Sequence, residues 1–237
     1  MVVAIILLVM GALMSAVFIA SKVINYSLKT IIFKTIASLF FVALGIYLVV
    51  ITPGHTLYKV FILMGLTFGM LGDLLLGFKY ITTGKAKQFW ILAGMFAFAF
   101  GHISYVLGLF LEFYIPGNVI FAILPFVTAI CLCCVYMVVA RKVGINFGKK
   151  MLPFGLFYLF CLTSMLSTSF YMALLNSFSV ITSVMFFCGA IFFATSDFML
   201  TGAYFKAGQR PKAYLAIYSV CYYVAQFVIA FSIFFLV

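Results

Sequence analysis

Eight apolar runs of roughly bilayer-crossing length occupy almost the whole chain, at about 2–20, 31–51, 57–78, 88–111, 119–140, 150–168, 178–202 and 213–237. A helix needs about 20 apolar residues to cross the hydrocarbon core. In lipid the backbone must satisfy its own hydrogen bonds, which makes helices the fold for runs of this length. The expected fold class is therefore all-α. The chain reads as a polytopic integral membrane protein of eight transmembrane helices in one transmembrane domain, residues 1–237. Composition closes off the soluble alternative: 68% of residues are hydrophobic and 7% charged, with mean hydropathy +1.36. A soluble domain carries about 25% charged residues. The N-terminus is apolar from Met1 onward, without the basic stretch that opens a secretory signal, so the first helix is expected to be retained.

Turn or charge signals separate the runs: Pro53-Gly54, Gly84-Lys85, Pro116-Gly117, Gly148-Lys149-Lys150 and Gly208-Gln209-Arg210-Pro211. The sixth run is the weakest, being rich in hydroxyls (Thr163, Ser164, Ser167, Thr168, Ser169). Basic residues alternate between connections. Thirteen of the fourteen Lys and Arg fall in or beside the first, third, fifth and seventh connections, and Lys59 alone lies on the other side. The positive-inside rule then sets the odd connections in the cytoplasm and both termini outside, in the plasma (inner) membrane. The net charge of +11 is thereby absorbed by helix orientation and by anionic membrane lipids, and no nucleic-acid partner is expected. The six cysteines all sit within apolar runs. Cys131-Leu132-Cys133-Cys134 lacks a second Cys/His cluster, so packing rather than a metal site is expected.

The chain has only three acids, and two of them, Asp73 and Asp197, lie inside apolar runs. A carboxylate there costs about 2.5–3.5 kcal/mol on insertion scales, which marks it as a functional candidate. The alternative is a structural pair with a Lys, or a cap near the cytoplasmic edge. Each Asp is five residues before the expected end of its run, so both are expected about 7–8 Å below the cytoplasmic edge. His102 is the histidine within a span, and Ser104 and Tyr105 share its helix. Gln226 has Tyr222 at i−4 on the same face, and Ser196 adjoins Asp197. Lys34 is expected at headgroup height, meeting a lipid phosphate or snorkelling. Two Asp and one His can bind Zn or Fe, but no second His lies near, and neither metal nor cofactor is expected.

A shift of 124 residues carries Asp73 onto Asp197, Leu76 onto Leu200, Tyr80 onto Tyr204, Gly84 onto Gly208 and His102 onto Gln226. Two four-helix halves in parallel repeat would produce this pattern, and chance likeness among apolar helices is the competing account.

Four ordered segments resemble the signatures of the YhhN family: Gly72-Asp73-Leu74-Leu75-Leu76, Gly101-His102-Ile103-Ser104-Tyr105, Phe193-Ala194-Thr195-Ser196-Asp197 and Tyr222-Tyr223-Val224-Ala225-Gln226. They match that family's G-D-x-x-L, H-x-x-Y, F-x-x-S-D and Y-Y-x-A-Q segments. One departure is Lys34-Thr35, where the family usually has Lys-Pro. The family includes lysoplasmalogenases, which hydrolyse the vinyl ether bond of lysoplasmalogens to a fatty aldehyde and a glycerophospho-base. The resemblance implies Asp73 and Asp197 as the catalytic pair. His102, Tyr105, Ser196, Tyr222 and Gln226 would line the site, and a lysophospholipid would be the partner. Vinyl ethers are cleaved by acid through an oxocarbenium ion, chemistry that a carboxyl pair also supports in glycosidases. That bond lies just under the headgroup, at the depth expected for both Asp side chains near the cytoplasmic leaflet. The competing function is a proton-coupled transporter or lipid carrier built on the same Asp pair.

Overall fold

The computed structural model describes residues 1–24, 26–208 and 210–236. Gln209, in the turn signal before the eighth run, and Val237, the expected end of that run, lie outside the described residues. Eight helices follow one another: α1 (Val2–Ile24), α2 (Leu28–Ile51), α3 (Thr56–Phe78), α4 (Gly84–Phe113), α5 (Val119–Lys142), α6 (Gly148–Leu175), α7 (Ile181–Phe205) and α8 (Lys212–Ser232), closed by a 3-10 turn at Ile233–Phe235. All eight spans are long and apolar enough to cross a membrane. The chain is a polytopic all-α membrane protein.

Several helices run past their apolar runs, because hydropathy reports the lipid-embedded part and not the hydrogen-bonded part. The hydroxyl-rich end of α6 is the clearest case, reaching Leu175 rather than 168. Its hydroxyls turn back onto the helix: Thr163 donates to the Leu159 carbonyl, Ser167 to the Thr163 carbonyl and Ser169 to the Leu166 carbonyl. Such back-bonding satisfies a hydroxyl without breaking the helix. Thr163, Ser164, Ser167, Thr168 and Ser169 are all buried, so this polar stripe faces the protein and not lipid.

Sequence neighbours pack as pairs, α1 with α2, α3 with α4, α5 with α6 and α7 with α8; α2 also packs on α3, α6 on α7, α4 on α6, and α8 on α2. Stepping forward by four helices maps this set onto itself. The tightest crossings obey the same offset. A Cβ on Gly101 of α4 would lie 3.1 Å from the Gly65 carbonyl of α3, and one on Gly189 of α7 would lie 3.3 Å from the Ala225 carbonyl of α8. Gly65 and Gly189 are 124 residues apart, as are Gly101 and Ala225. In lipid, where no hydrophobic force draws helices together, small residues permit this close approach. The two four-helix halves expected from the 124-residue shift are thus visible in the packing. Contacts of α8 with α1 and α3 have no comparable counterpart, so the halves differ around α8.

At one end of the bundle the short connections carry the basic residues, and a backbone bridge between Ile145 and Lys206 ties the fifth connection to the seventh. At the other end His55 and Glu112 pair at 2.5 Å. Lys59 is buried there and donates to the carbonyls of Thr52 (2.6 Å) and Val49 (3.3 Å), capping α2.

Candidate active site

Asp73 and Asp197 open into one cavity, walled also by Leu76, Phe98, Leu200, Tyr204 and Tyr222. Part of the wall comes in pairs at the 124-residue offset: Asp73 with Asp197, Leu76 with Leu200, Tyr80 with Tyr204, and Phe98 with Tyr222. The cavity therefore lies where the two halves meet. Both carboxyls are buried, at 2% and 5% exposure. α3 and α7 share no substantial packing, and α8 lies against both. The Asp side chains face a common space without a hydrogen bond to each other among the described residues. α7 ends at Phe205, beyond the expected 202, while α3 ends at Phe78 as its run does.

The two carboxyls have different partners. Asp73 meets the Lys34 ammonium at 2.8 Å, the Ser38 hydroxyl at 2.6 Å and the Tyr222 hydroxyl at 2.8 Å. Asp197 accepts a hydrogen bond from the Tyr158 hydroxyl of α6 and forms no ion pair among the described residues. Lys34 and Tyr158 are themselves 124 residues apart. Equivalent places on α2 and α6 thus present a cation to one acid and a neutral phenol to the other. The Lys34 ammonium turns inward to the buried Asp73 carboxylate, and its side chain is 14% exposed.

The other sequence-predicted residues divide into two layers. Tyr222 and Ser196 line the cavity. Ser196, however, donates to the Tyr218 carbonyl at 2.8 Å and not to Asp197, since neighbouring helical residues point about 100° apart. His102, Tyr105 and Gln226 are not among the cavity-lining residues; they lie behind its wall, at 1%, 1% and 0% exposure. From there they act through others. Tyr105 donates to Gln226 (3.2 Å), Gln226 to the Tyr222 hydroxyl (3.0 Å), and Tyr222 to Asp73. This chain runs from α4 through α8 to the α3 carboxylate. His102 lies 3.4 Å from the Tyr158 hydroxyl and edge-on to Phe193, so it supports the phenol that holds Asp197. Its Nδ1 has no hydrogen-bond partner among the described residues. Among the described residues no three of His, Cys, Asp and Glu converge.

Sequence reasoning missed Ser38, Tyr158, Lys22, Lys79 and the tyrosines at the cavity mouth. Tyr158 had a signal: applying the 124-residue shift to Lys34 points to it. Tyr80 and Tyr204 had it too, since the same shift pairs them; Ser38 had none, because a Ser within an apolar run is unremarkable until its neighbours are known.

On the α6 side lies a second, apolar cavity, lined by residues that include Met95, Tyr136, Phe147, Gly155, Leu159, Leu162 and Phe198. It shares Leu76, Phe98, Asp197, Leu200 and Tyr204 with the first. Asp197 therefore stands at the junction of a polar and an apolar chamber, while Asp73 faces the polar one. On the basic end, Lys22, Tyr26, Tyr80, Tyr204 and Tyr218 join the first cavity to an open vestibule of about 1170 Å³.

A model of the YhhN family matches residues 29–233 of the chain. No curated protein matches it, and no solved structure does.

Proposed function

Because the chain belongs to the YhhN family, we propose that it is a membrane hydrolase that cleaves the vinyl ether bond of lysoplasmalogens, releasing a fatty aldehyde and a glycerophospho-base. The observation that carries this reading is the unlike pair of buried carboxyls on one cavity, one facing a cation and the other only a phenol. The apolar chamber suits the alkenyl chain and the vestibule suits the headgroup. The scissile bond then falls beside Asp197, where the two chambers meet.

Asp197, without a cation partner, is the acid. It gives its proton to the β carbon of the vinyl ether, leaving an oxocarbenium ion. Asp73 is the carboxylate: it takes a proton from water as the water oxygen bonds to the cationic carbon. The hemiacetal then collapses. Its hydroxyl proton returns to Asp197, and the glycerol oxygen leaves with the proton held by Asp73. The products are aldehyde and alcohol, and both carboxyls regain their starting states. The buried donors around Asp73 favour negative charge across from the developing cation.

The test is aldehyde release by the purified protein in detergent, with lysoplasmalogen and ester lysolipid as substrates. Asp73→Asn and Asp197→Asn should each lower turnover by about 10²–10⁴-fold while the protein stays folded. Near-normal turnover by either variant refutes the paired-acid mechanism. Repeated halves around a central Asp pair are also the layout of transporters. The same assay decides between the two, because a hydrolase turns over in micelles, where no gradient exists.

A further inference from the structure

One pair of rings stands between the apolar chamber and the lipid-facing surface. Tyr136 of α5 and Phe198 of α7 wall the chamber that reaches Asp197. The same two side chains line a groove between α5 and the α7–α8 pair, and they are what the two linings share. Their rings stack with centroids 4.8 Å apart and 23° between planes. The flanks of the groove are apolar, from Val139, Val143 and Met199, and Lys206 and Arg210 stand at its basic end. Val139 is 49% exposed, so the groove opens outward, where a membrane protein meets hydrocarbon.

The seam behind those rings is thinly held. Among the described residues α5 packs substantially on α6 alone, and it shares no substantial packing with α7. Its hydrogen bonds to α6 come no later than Cys133. Thr128 pairs with the Tyr171 hydroxyl at 3.0 Å, and Thr163 meets the Ala129 carbonyl and the Cys133 sulfur, each at 3.3 Å. Further along, the Tyr136–Phe198 stack crosses to α7. Backbone then ties the ends: Ile145 bridges Lys206, and the Asn146 N–H donates to the Phe205 carbonyl at 2.9 Å. Pro125, inside α5, has no N–H to give, which leaves the helix a place to bend. In the first half, α1 is the counterpart of α5, and it packs on α8 as well as on α2. The second half therefore has the looser outer helix, and it covers the chamber.

The chemistry of the proposed reaction gives this seam a use. The substrate carries one long chain, and the aldehyde product is nearly all chain. Passage through water would expose every methylene, whereas a route between helices keeps the chain in hydrocarbon throughout. Two stacked rings part by side-chain rotation, without breaking a backbone hydrogen bond. We infer that the groove between α5 and α7 is a lateral portal, closed by Tyr136 and Phe198, through which a single hydrocarbon chain passes between the bilayer and the apolar chamber. The assignment deepens the hydrolase reading and rests on it for its cargo: lysolipid enters and aldehyde leaves through the same seam, while the water-soluble product leaves by the vestibule.

A portal sets how fast a chain enters and leaves without setting how tightly it binds, so the experiment measures rates. The probe is a long-chain saturated alkyl lysophosphatidylethanolamine with dansyl on its headgroup amine, an ether that this chemistry does not cleave. The full-length protein is placed in phosphatidylcholine vesicles. Stopped-flow mixing follows energy transfer to dansyl from Trp90, the single tryptophan of the chain, which adjoins Ile91 in the vestibule lining. Val139→Phe narrows the groove and should slow association and dissociation alike, by about fivefold, with Kd kept within about twofold. Tyr136→Leu/Phe198→Leu removes the ring stack and should speed both rates; it decides alone if the first variant does not fold. Unchanged rates in both variants overturn the portal. A change in Kd carried by dissociation alone overturns it too, because the groove is then a binding contact and not a passage. If Val139→Phe splits a dimer on size-exclusion chromatography, the groove seats a second copy of the chain and the portal is likewise overturned. Rates that shift as expected in a protein that releases no aldehyde from lysoplasmalogen would support the portal and defeat the hydrolase reading.

Discussion

Lys34 and Tyr158 occupy equivalent places 124 residues apart, yet Lys34 forms a 2.8 Å ion pair with Asp73 while Tyr158 offers Asp197 a neutral hydroxyl. That exchange of an ammonium for a phenol, with the Ser38 and Tyr222 hydroxyls that also bond Asp73, makes the two acids chemically unlike. In the proposed mechanism that difference separates the pair into an acid and a carboxylate.

Breaking the ion pair is the most damaging single change expected near the site. Lys34→Met leaves a carboxylate at 2% exposure without its cation, and removing one partner of a buried pair costs about 3–5 kcal/mol. The variant should unfold at lower temperature in detergent and lose aldehyde release. Lys34→Arg retains the charge and should recover more stability than activity, because a planar guanidinium does not reproduce the geometry of a point ammonium. Thermal unfolding followed by circular dichroism, alongside the aldehyde assay, separates the two effects.

Tyr158→Phe removes the one hydrogen bond that orients Asp197 among the described residues and leaves the ring against His102. A hydrogen bond to a neutral carboxyl group contributes on the order of 0.5–1.5 kcal/mol. We expect kcat to fall by up to about tenfold with KM little changed, because the phenol touches the acid and not the headgroup. An equal rise in KM with kcat unchanged would show that Tyr158 serves binding instead.

Gly69 tests the chain of hydrogen bonds behind Asp73. A Cβ there would lie 2.6 Å from Gln226 Nε2. Gly69→Ala therefore pushes Gln226 off the Tyr222 hydroxyl, at an overpacking cost of about 1–3 kcal/mol. Turnover should fall more than that modest loss of stability implies. Gln226→Leu, which removes the polar link without adding bulk, should reproduce the loss of turnover.

Chain length should be set in the apolar chamber. Gly155 lines it, where a new Cβ would approach only Phe147, at 3.3 Å. Gly155→Leu fills part of the chamber and should shift preference toward shorter alkenyl chains. Each methylene kept out costs about 0.8 kcal/mol of burial. KM measured across a chain-length series should rise for long chains and stay constant for short ones.

How much of this was legible beforehand differs by level. Eight helices, the up-and-down order and the exceptional status of Asp73 and Asp197 followed from the sequence, because lipid forces each spanning backbone to satisfy itself and makes every buried charge costly. Apolar length is a local property, so a linear reading reaches it. The 124-residue repeat was also legible, since it compares the chain with itself. Gln226 bonding Tyr222 one turn away was within reach for the same reason, as helical spacing alone puts both on one face.

Tertiary structure decided the rest. That Lys34 turns inward to Asp73, that Ser196 turns to the Tyr218 carbonyl, and that His102, Tyr105 and Gln226 stand behind the cavity wall are all outcomes of which helix faces meet. Those faces are chosen by close packing of small residues and by polar groups seeking partners across helices, interactions that depend on residues far apart in the chain. Sequence determined that two acids would be buried in a helical membrane protein. Only the packing of α2 and α6 around them decided that one would face a cation and the other a phenol.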